Sequence, residues 1–120
     1  MSDRFMAERF LPLTPIVYGL LLAFAEGPTH GYALLGRLRD QSAGLLSLGT
    51  GQLYRHLGRL LDDEWLAEVE APEDSDREDS RRRYYRLTDK GRAVLMAESG
   101  RLAEQVDRSR RLGLLAEEGS

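Results

Sequence analysis

Residues 50–62, Thr-Gly-Gln-Leu-Tyr-Arg-His-Leu-Gly-Arg-Leu-Leu-Asp, restrict the fold more than any other part of the chain. Leu53, Leu57, Leu60 and Leu61 recur at i, i+4, i+7 and i+8, the spacing of one helix face, and such a face must be buried against other elements. At 100° per residue Gln52, Arg55, His56 and Arg59 fall on the opposite side, with Tyr54 on the border. A helix with leucines on one side and long hydrogen-bonding donors on the other sits at the surface of a small core and presents polar groups to a partner.

The elements that supply this core precede the helix. Thr14 followed by Pro15 predicts a helix start, and Gly27-Pro28 ends that helix; Ile16, Val17, Leu20, Leu21 and Phe24 make its apolar face. Thr29 is the expected cap of a second helix, in which either Tyr32, Leu35 and Leu38 or Leu34 and Leu38 face inward. After the third helix, residues 65–70 and 82–87 read as two strands of a hairpin. The polar segment 71–81 forms its long tip. Strand alternation predicts that one of Tyr84 and Tyr85 packs inward and the other outward. Thr88-Asp89 caps a last helix whose apolar positions, Leu95, Leu102 and Val106 among them, are too sparse for full burial, so a partner has to cover them. Phe5, Met6 and Phe10 form another apolar set that suits the same surface.

Composition removes several functional classes. With 120 residues the chain suits one domain plus extensions. It has no cysteine, which excludes disulfides, thiolate catalysis and sulfur-ligated zinc, and its two histidines make no metal cluster. No cofactor is expected. No apolar run approaches the roughly 20 residues of a membrane span, and the N-terminus lacks the pattern of a secretory signal, so the expected location is the cytoplasm. Gly49 and Gly51 mimic a dinucleotide-binding turn, but the third glycine of that pattern would fall on Tyr54. No spacing assembles a catalytic acid, base or nucleophile, and the chain is not expected to be an enzyme.

Three helices followed by a hairpin, with long donors on the third helix, is the order of a winged helix-turn-helix: mainly α, with a small β-hairpin and a long C-terminal helix. In that geometry the third helix enters the major groove and the hairpin lies along phosphates. Net charge is −3, but residues 77–92 hold seven bases and three acids, a local excess of four. Arginine at 81–83 suits phosphate, although the acidic stretch 73–79 competes for it. A winged-helix module that binds protein instead of DNA is the alternative, supported by the acidic total charge.

The strings Gly-Pro-Thr-His-Gly-Tyr-Ala-Leu-Leu-Gly-Arg-Leu (27–38), Leu-Tyr-Arg-His-Leu-Gly-Arg-Leu (53–60) and Arg-Arg-Arg-Tyr-Tyr-Arg-Leu-Thr-Asp-Lys-Gly-Arg (81–92) resemble blocks of the PadR family of bacterial transcriptional regulators. The resemblance runs from about residue 14 to 95, and the single C-terminal helix is similar to the family's short form. It implies a homodimer paired through the C-terminal helix, repression of a promoter with a roughly palindromic operator and, as in several members, a small aromatic or hydrophobic effector. It places Thr50, Gln52, Tyr54 and Arg55 at the start of the recognition helix and Arg81, Arg82 and Arg83 in the wing, with His56 and Arg59 following on the same helix. Gln52, Arg55 and His56 would read base edges; Tyr54, Arg59 and residues 81–83 would hold phosphates. Phe5, Met6, Phe10, Leu95, Leu102 and Val106 would serve the dimer interface. The domains implied are an N-terminal segment (1–12), a winged helix (13–88), a dimerisation helix (89–116) and a tail (117–120). Many relatives carry glycine where Glu64 stands, a position where positive φ would disfavour glutamate.

Overall fold

The fold was obtained as a computed structural model and describes residues 5–77 and 81–116. Residues 1–4, the end of the acidic loop at 78–80 and the tail 117–120 lie outside the described residues.

A 3₁₀ turn, Ala7–Phe10, leads into α1 (Pro15–Phe24), a two-residue strand β1 (Thr29–His30), α2 (Gly31–Gln41), α3 (Thr50–Asp62), strands β2 (Leu66–Val69) and β3 (Tyr84–Leu87), and α4 (Asp89–Arg111). The start of α1 follows the sequence signal: Thr14 Oγ1 accepts the Val17 amide at 3.2 Å, and proline occupies the first turn, where its missing N–H costs nothing. The start of α2 differs from expectation. Thr29 pairs in β1, and His30 caps the helix, its Nδ1 accepting the Ala33 amide at 3.2 Å.

β1 also changes the sheet. Instead of a two-stranded hairpin, three antiparallel strands run in the order β1-β3-β2, with Thr29 opposite Tyr85 and His30 opposite Tyr84 on one side of β3, and Glu68 opposite Tyr85 on the other. The strands β2 and β3 are shorter than the sequence pattern indicates. Central placement buries both Tyr84 and Tyr85, which corrects the expectation that one of them faces outward. Tyr84 packs edge-on against the His30 ring, with centroids 5.1 Å apart.

Leu20, Leu21 and Phe24 of α1 meet Leu34 and Leu38 of α2 and Leu53, Leu57 and Leu60 of α3, closed below by Trp65, Leu66, Tyr85, Val94 and Leu95. Of the two faces open for α2, the Leu34–Leu38 face is the buried one; Tyr32 is 72% exposed. Each fully buried leucine contributes about 2 kcal/mol of apolar transfer. Arg37 and Gln41 of α2 reach across to the carbonyls of Ala23 and Gly19, fixing α2 on α1.

Three helices end in the same way. At α3 the Trp65 amide bonds the Leu60 carbonyl and the Glu64 amide the Leu61 carbonyl, with Glu64 at φ 64°. Equivalent bond pairs close α2 around Ala43 (φ 53°) and α4 around Gly113 (φ 77°). Only α4 places glycine at the left-handed residue. The Glu64 side chain is nevertheless held by Lys90 at 2.9 Å, which draws its carboxyl below the usual range.

Helix α4 runs through Gly100 without a break, and the 3₁₀ turn packs on it. Glu98 is 1% exposed: its carboxylate accepts the Leu13 amide at 2.8 Å and two bonds from Arg101, and Tyr18 and Ser99 share a hydroxyl–hydroxyl bond at 2.8 Å. The Arg101 guanidinium, with help from the Leu13 amide, holds the Glu98 carboxyl below its ordinary value against the opposing effect of burial.

Candidate nucleic-acid interface

The polar face of α3 is built by the burial of its apolar one. Leu53 and Leu57 are 1% exposed and Leu60 3%, which turns Thr50, Gln52, Arg55 and Arg59 to the surface. His56 is half-buried, on the edge of α3 that faces the N-terminal segment. It lines a recess of about 310 Å³ with Arg59, Phe10, Thr14 and Trp65. Gln52 has a second task, since its Oε1 accepts the Gly49 amide at 3.0 Å and so closes the helix start. Its amide nitrogen remains as donor, and an amide in this state offers a hydrogen to a base acceptor but not the bidentate pair that adenine takes.

Tyr54 lies on the opposite edge, half exposed, with its hydroxyl against the start of α2: a methyl group at Gly31 would sit 3.0 Å from that oxygen. The segment just before β3, which carries Arg81, Arg82 and Arg83, comes up beside it. Arg81 and Arg83 are exposed, whereas Arg82 is half-buried, its guanidinium carbon 4.9 Å from the centre of the Tyr32 ring. The site residues of α3 and those before β3 thus share one side of the molecule through Tyr54 and the start of α2. Tyr32 carries no sequence signal beyond its place on α2. The pairing of β1 with β3, which brings it beside Arg82, is set by residues more than 50 positions apart, since Thr29 faces Tyr85.

The residues expected at the dimer interface divide. Leu95, 6% exposed, belongs to the protomer's own core and is a correction to that set. Leu102 is half-buried, and Val106 (40%), Met6 (47%) and Phe10 (43%) are exposed. Phe5 stacks on Phe10, which meets Trp65 edge-on at 5.2 Å, so the aromatic part of the N-terminal segment already has partners within the chain. Met96, Leu112, Leu114 and Leu115 extend the exposed apolar set along and beyond α4. Among the described residues no group of acids and histidines is arranged to hold a metal ion, and no helix is long and apolar enough to cross a membrane.

Three helices, a three-stranded sheet whose last two strands form the wing, and a long helix behind them define a winged-helix protein. The sequence matches the transcriptional regulator PadR-like family over residues 20–97, and the chain belongs to that family. It is a transcriptional regulator of the PadR-like type. Solved structures agree on the fold. A PadR family transcription regulator from Clostridium difficile R20291 superposes with a TM-score of 0.68 at 19% identity, over 82% of this chain and 98% of that one. A PadR-like transcription factor from Bacteroides fragilis gives 0.63 at 23% identity, over 81% and 88%. The PcaV transcriptional regulator from Streptomyces coelicolor, solved with its natural ligand, gives 0.63 at 25% identity, over 88% of this chain and 65% of that one. Comparison with curated proteins finds no match.

Proposed function

We propose that this regulator represses transcription as a homodimer bound to a roughly palindromic operator in the cytoplasm of a bacterium. The observation that carries the DNA contact is the division of α3: three leucines buried to 3% exposure or less, with Thr50, Gln52, Arg55 and Arg59 turned outward beside Arg81–Arg83. Arg55 is the donor on this face best placed for bidentate contact with guanine, and the arginines before β3 supply the charge that phosphate neutralisation requires. Pairing through α4 is supported by its exposed Met96 and Val106 and by the apolar residues that follow it. Two recognition helices would then address half-sites about 34 Å apart.

An effector of small aromatic or hydrophobic character fits a cavity of about 420 Å³ between α1, α2 and α4, walled by Tyr18, Leu22, Leu46 and Leu102. A ligand there would act by favouring one arrangement of α4 over another. PcaV offers a relative of this fold that was solved with a ligand.

The test is selection of bound sequences from a random duplex pool, followed by affinity against salt for the selected site. An enriched inverted repeat, bound with a steep salt dependence that is lost in the Arg55→Ala/Arg82→Ala protein while its dimerisation persists, is the expected result. No enrichment at any salt concentration overturns the proposal in favour of a winged helix that binds protein.

A further inference from the structure

Gln52 meets a partner with a polarity that is fixed inside the protein. Gly49 is the cap residue of α3 and Gln52 the third residue of the helix, so the two stand in the places of a capping box. Glycine has no side chain to give, and only the returning half of the box exists: the Gly49 amide donates to Gln52 Oε1 at 3.0 Å. A backbone N–H bonds the oxygen of a carboxamide and not its nitrogen, which settles which end of the group is which. The oxygen is engaged and the NH₂ end is left over. Gln52 is exposed, at the end of α3 from which recognition helices reach base edges.

Turning the oxygen to a base would break this bond. The Gly49 amide is one of the N–H groups that a helix start leaves without a partner, and DNA in contact with it displaces the water that could replace the lost acceptor. An unmet N–H in such a place costs more than a net hydrogen bond contributes, so the capped carboxamide is the form that meets DNA. In the major groove the bases divide by what they offer this donor. Guanine and thymine present a keto oxygen, O6 or O4. Adenine and cytosine present an amino group, N6 or N4, which sets donor against donor. Adenine adds an N7 acceptor, but the amino group beside it lacks the oxygen of the bidentate pair.

We infer that Gln52, held by the Gly49 amide, selects a keto base over an amino base at one position of each half-site, with Gly49 as the positioning residue for that choice. The inference rests on the DNA-binding function proposed above and deepens it, since a bond within the protein sets the polarity of one base contact.

The experiment repeats the selection from a random duplex pool with the unaltered protein and with Gln52→Met, Gln52→Glu and Gly49→Pro, and reads base frequencies at each position of the enriched half-site. Gln52→Met keeps the length of the side chain and removes its hydrogen bonds, so the position where preference disappears is the one Gln52 reads. There the unaltered protein should favour guanine or thymine over adenine or cytosine by about fivefold, the effect of one net hydrogen bond. In Gln52→Glu one carboxylate oxygen takes the Gly49 amide and the other is an acceptor, and the helix N-terminus favours its charge. The preference should therefore turn over to cytosine or adenine. Gly49→Pro removes the amide hydrogen with little other change, because φ there is −76° and a Cβ would meet nothing closer than Gln52 Oε1 at 3.7 Å. The released carboxamide should then admit adenine through the bidentate pair. Preference for adenine in the unaltered protein overturns the inference, as do an unchanged preference in Gln52→Glu and the absence of any altered position in Gln52→Met; DNA binding survives all three. No enriched sequence with the unaltered protein removes the DNA-binding function and the inference together. Thermal melts check each variant, and Gln52→Glu, which keeps the cap, carries the test if Gly49→Pro does not fold.

Discussion

At the scale of single residues, one backbone position governs the joint between the winged helix and α4. A methyl group at Gly91 would lie 2.2 Å from the Trp65 carbonyl oxygen, a backbone atom with no room to withdraw. Gly91→Ala is expected to destabilise the protein by at least about 2 kcal/mol, measured as a shift of the urea midpoint at unchanged slope. Ala43 presents the opposite case, a residue with a Cβ in the left-handed region at an exposed helix end. Ala43→Gly should raise stability by about 1 kcal/mol and leave DNA affinity unchanged. A lower midpoint in that variant would show that the helix end is strained less than its φ implies. Glu64 is legible as an unfavourable substitute for glycine through the family resemblance, and its φ of 64° agrees. Its ion pair with Lys90 is not, because that contact depends on where α4 begins relative to the end of α3.

At the scale of elements, α3 divides into buried leucines and an exposed polar face, a division that in the DNA-binding function proposed above separates folding from recognition. Leu57→Ala removes a side chain that is 1% exposed and should cost about 2–5 kcal/mol, whereas Arg55→Ala should leave the thermal melt within about 1 °C and abolish specific binding. Calorimetry and anisotropy on the two variants would show the division directly, and a large loss of stability in Arg55→Ala would refute it. This helix is readable from sequence because its 3.6-residue period is complete within 13 positions. The sheet is not readable to the same degree. β1 is two residues long, too short for any period, and it exists because Thr29 and His30 meet Tyr85 and Tyr84 from far along the chain. That pairing turns His30 into a cap, buries both tyrosines and brings Tyr32 to Arg82. The cap displaced from Thr29, the second inward tyrosine and the contact of Tyr32 with Arg82 therefore share one cause, a long-range register that local pattern does not encode.

At the scale of the whole molecule, the attachment of α4 to the rest of the chain includes one buried charge beside its apolar packing. Glu98 is the most deeply buried carboxylate among the described residues, and it joins α4 to the chain just before α1 through the Leu13 amide. Its carboxyl titrates lower in the folded protein than in the unfolded chain, so the folded state binds fewer protons there. The resulting stabilisation is complete above the ordinary carboxylate range and is lost as pH falls through the lowered folded value. Denaturant midpoints measured between about pH 6 and pH 3 should therefore fall more steeply in the unaltered protein than in Glu98→Gln, which is weaker at neutral pH but lacks this titration. Parallel curves would show that the bond contributes nothing that depends on the charge. In the sequence, Glu98 is one of many acids on a polar helix, with nothing to set it apart. Arg101 is within reach three residues on in the same helix, but the Leu13 amide comes to Glu98 only through the packing of the N-terminal segment on α4.

One hydroxyl has a wider consequence than its size suggests. Thr88 donates to the Glu64 carbonyl at 2.6 Å and accepts the Gly91 amide at 3.1 Å, so the same oxygen ties the residue that follows α3 to the beginning of α4. Two rods pinned at a common knuckle resemble one jaw of a pair of calipers. In the paired arrangement proposed above, the gap between the two jaws is then set where the long rods cross, and a small rotation there is read out as a change in the distance the tips can span.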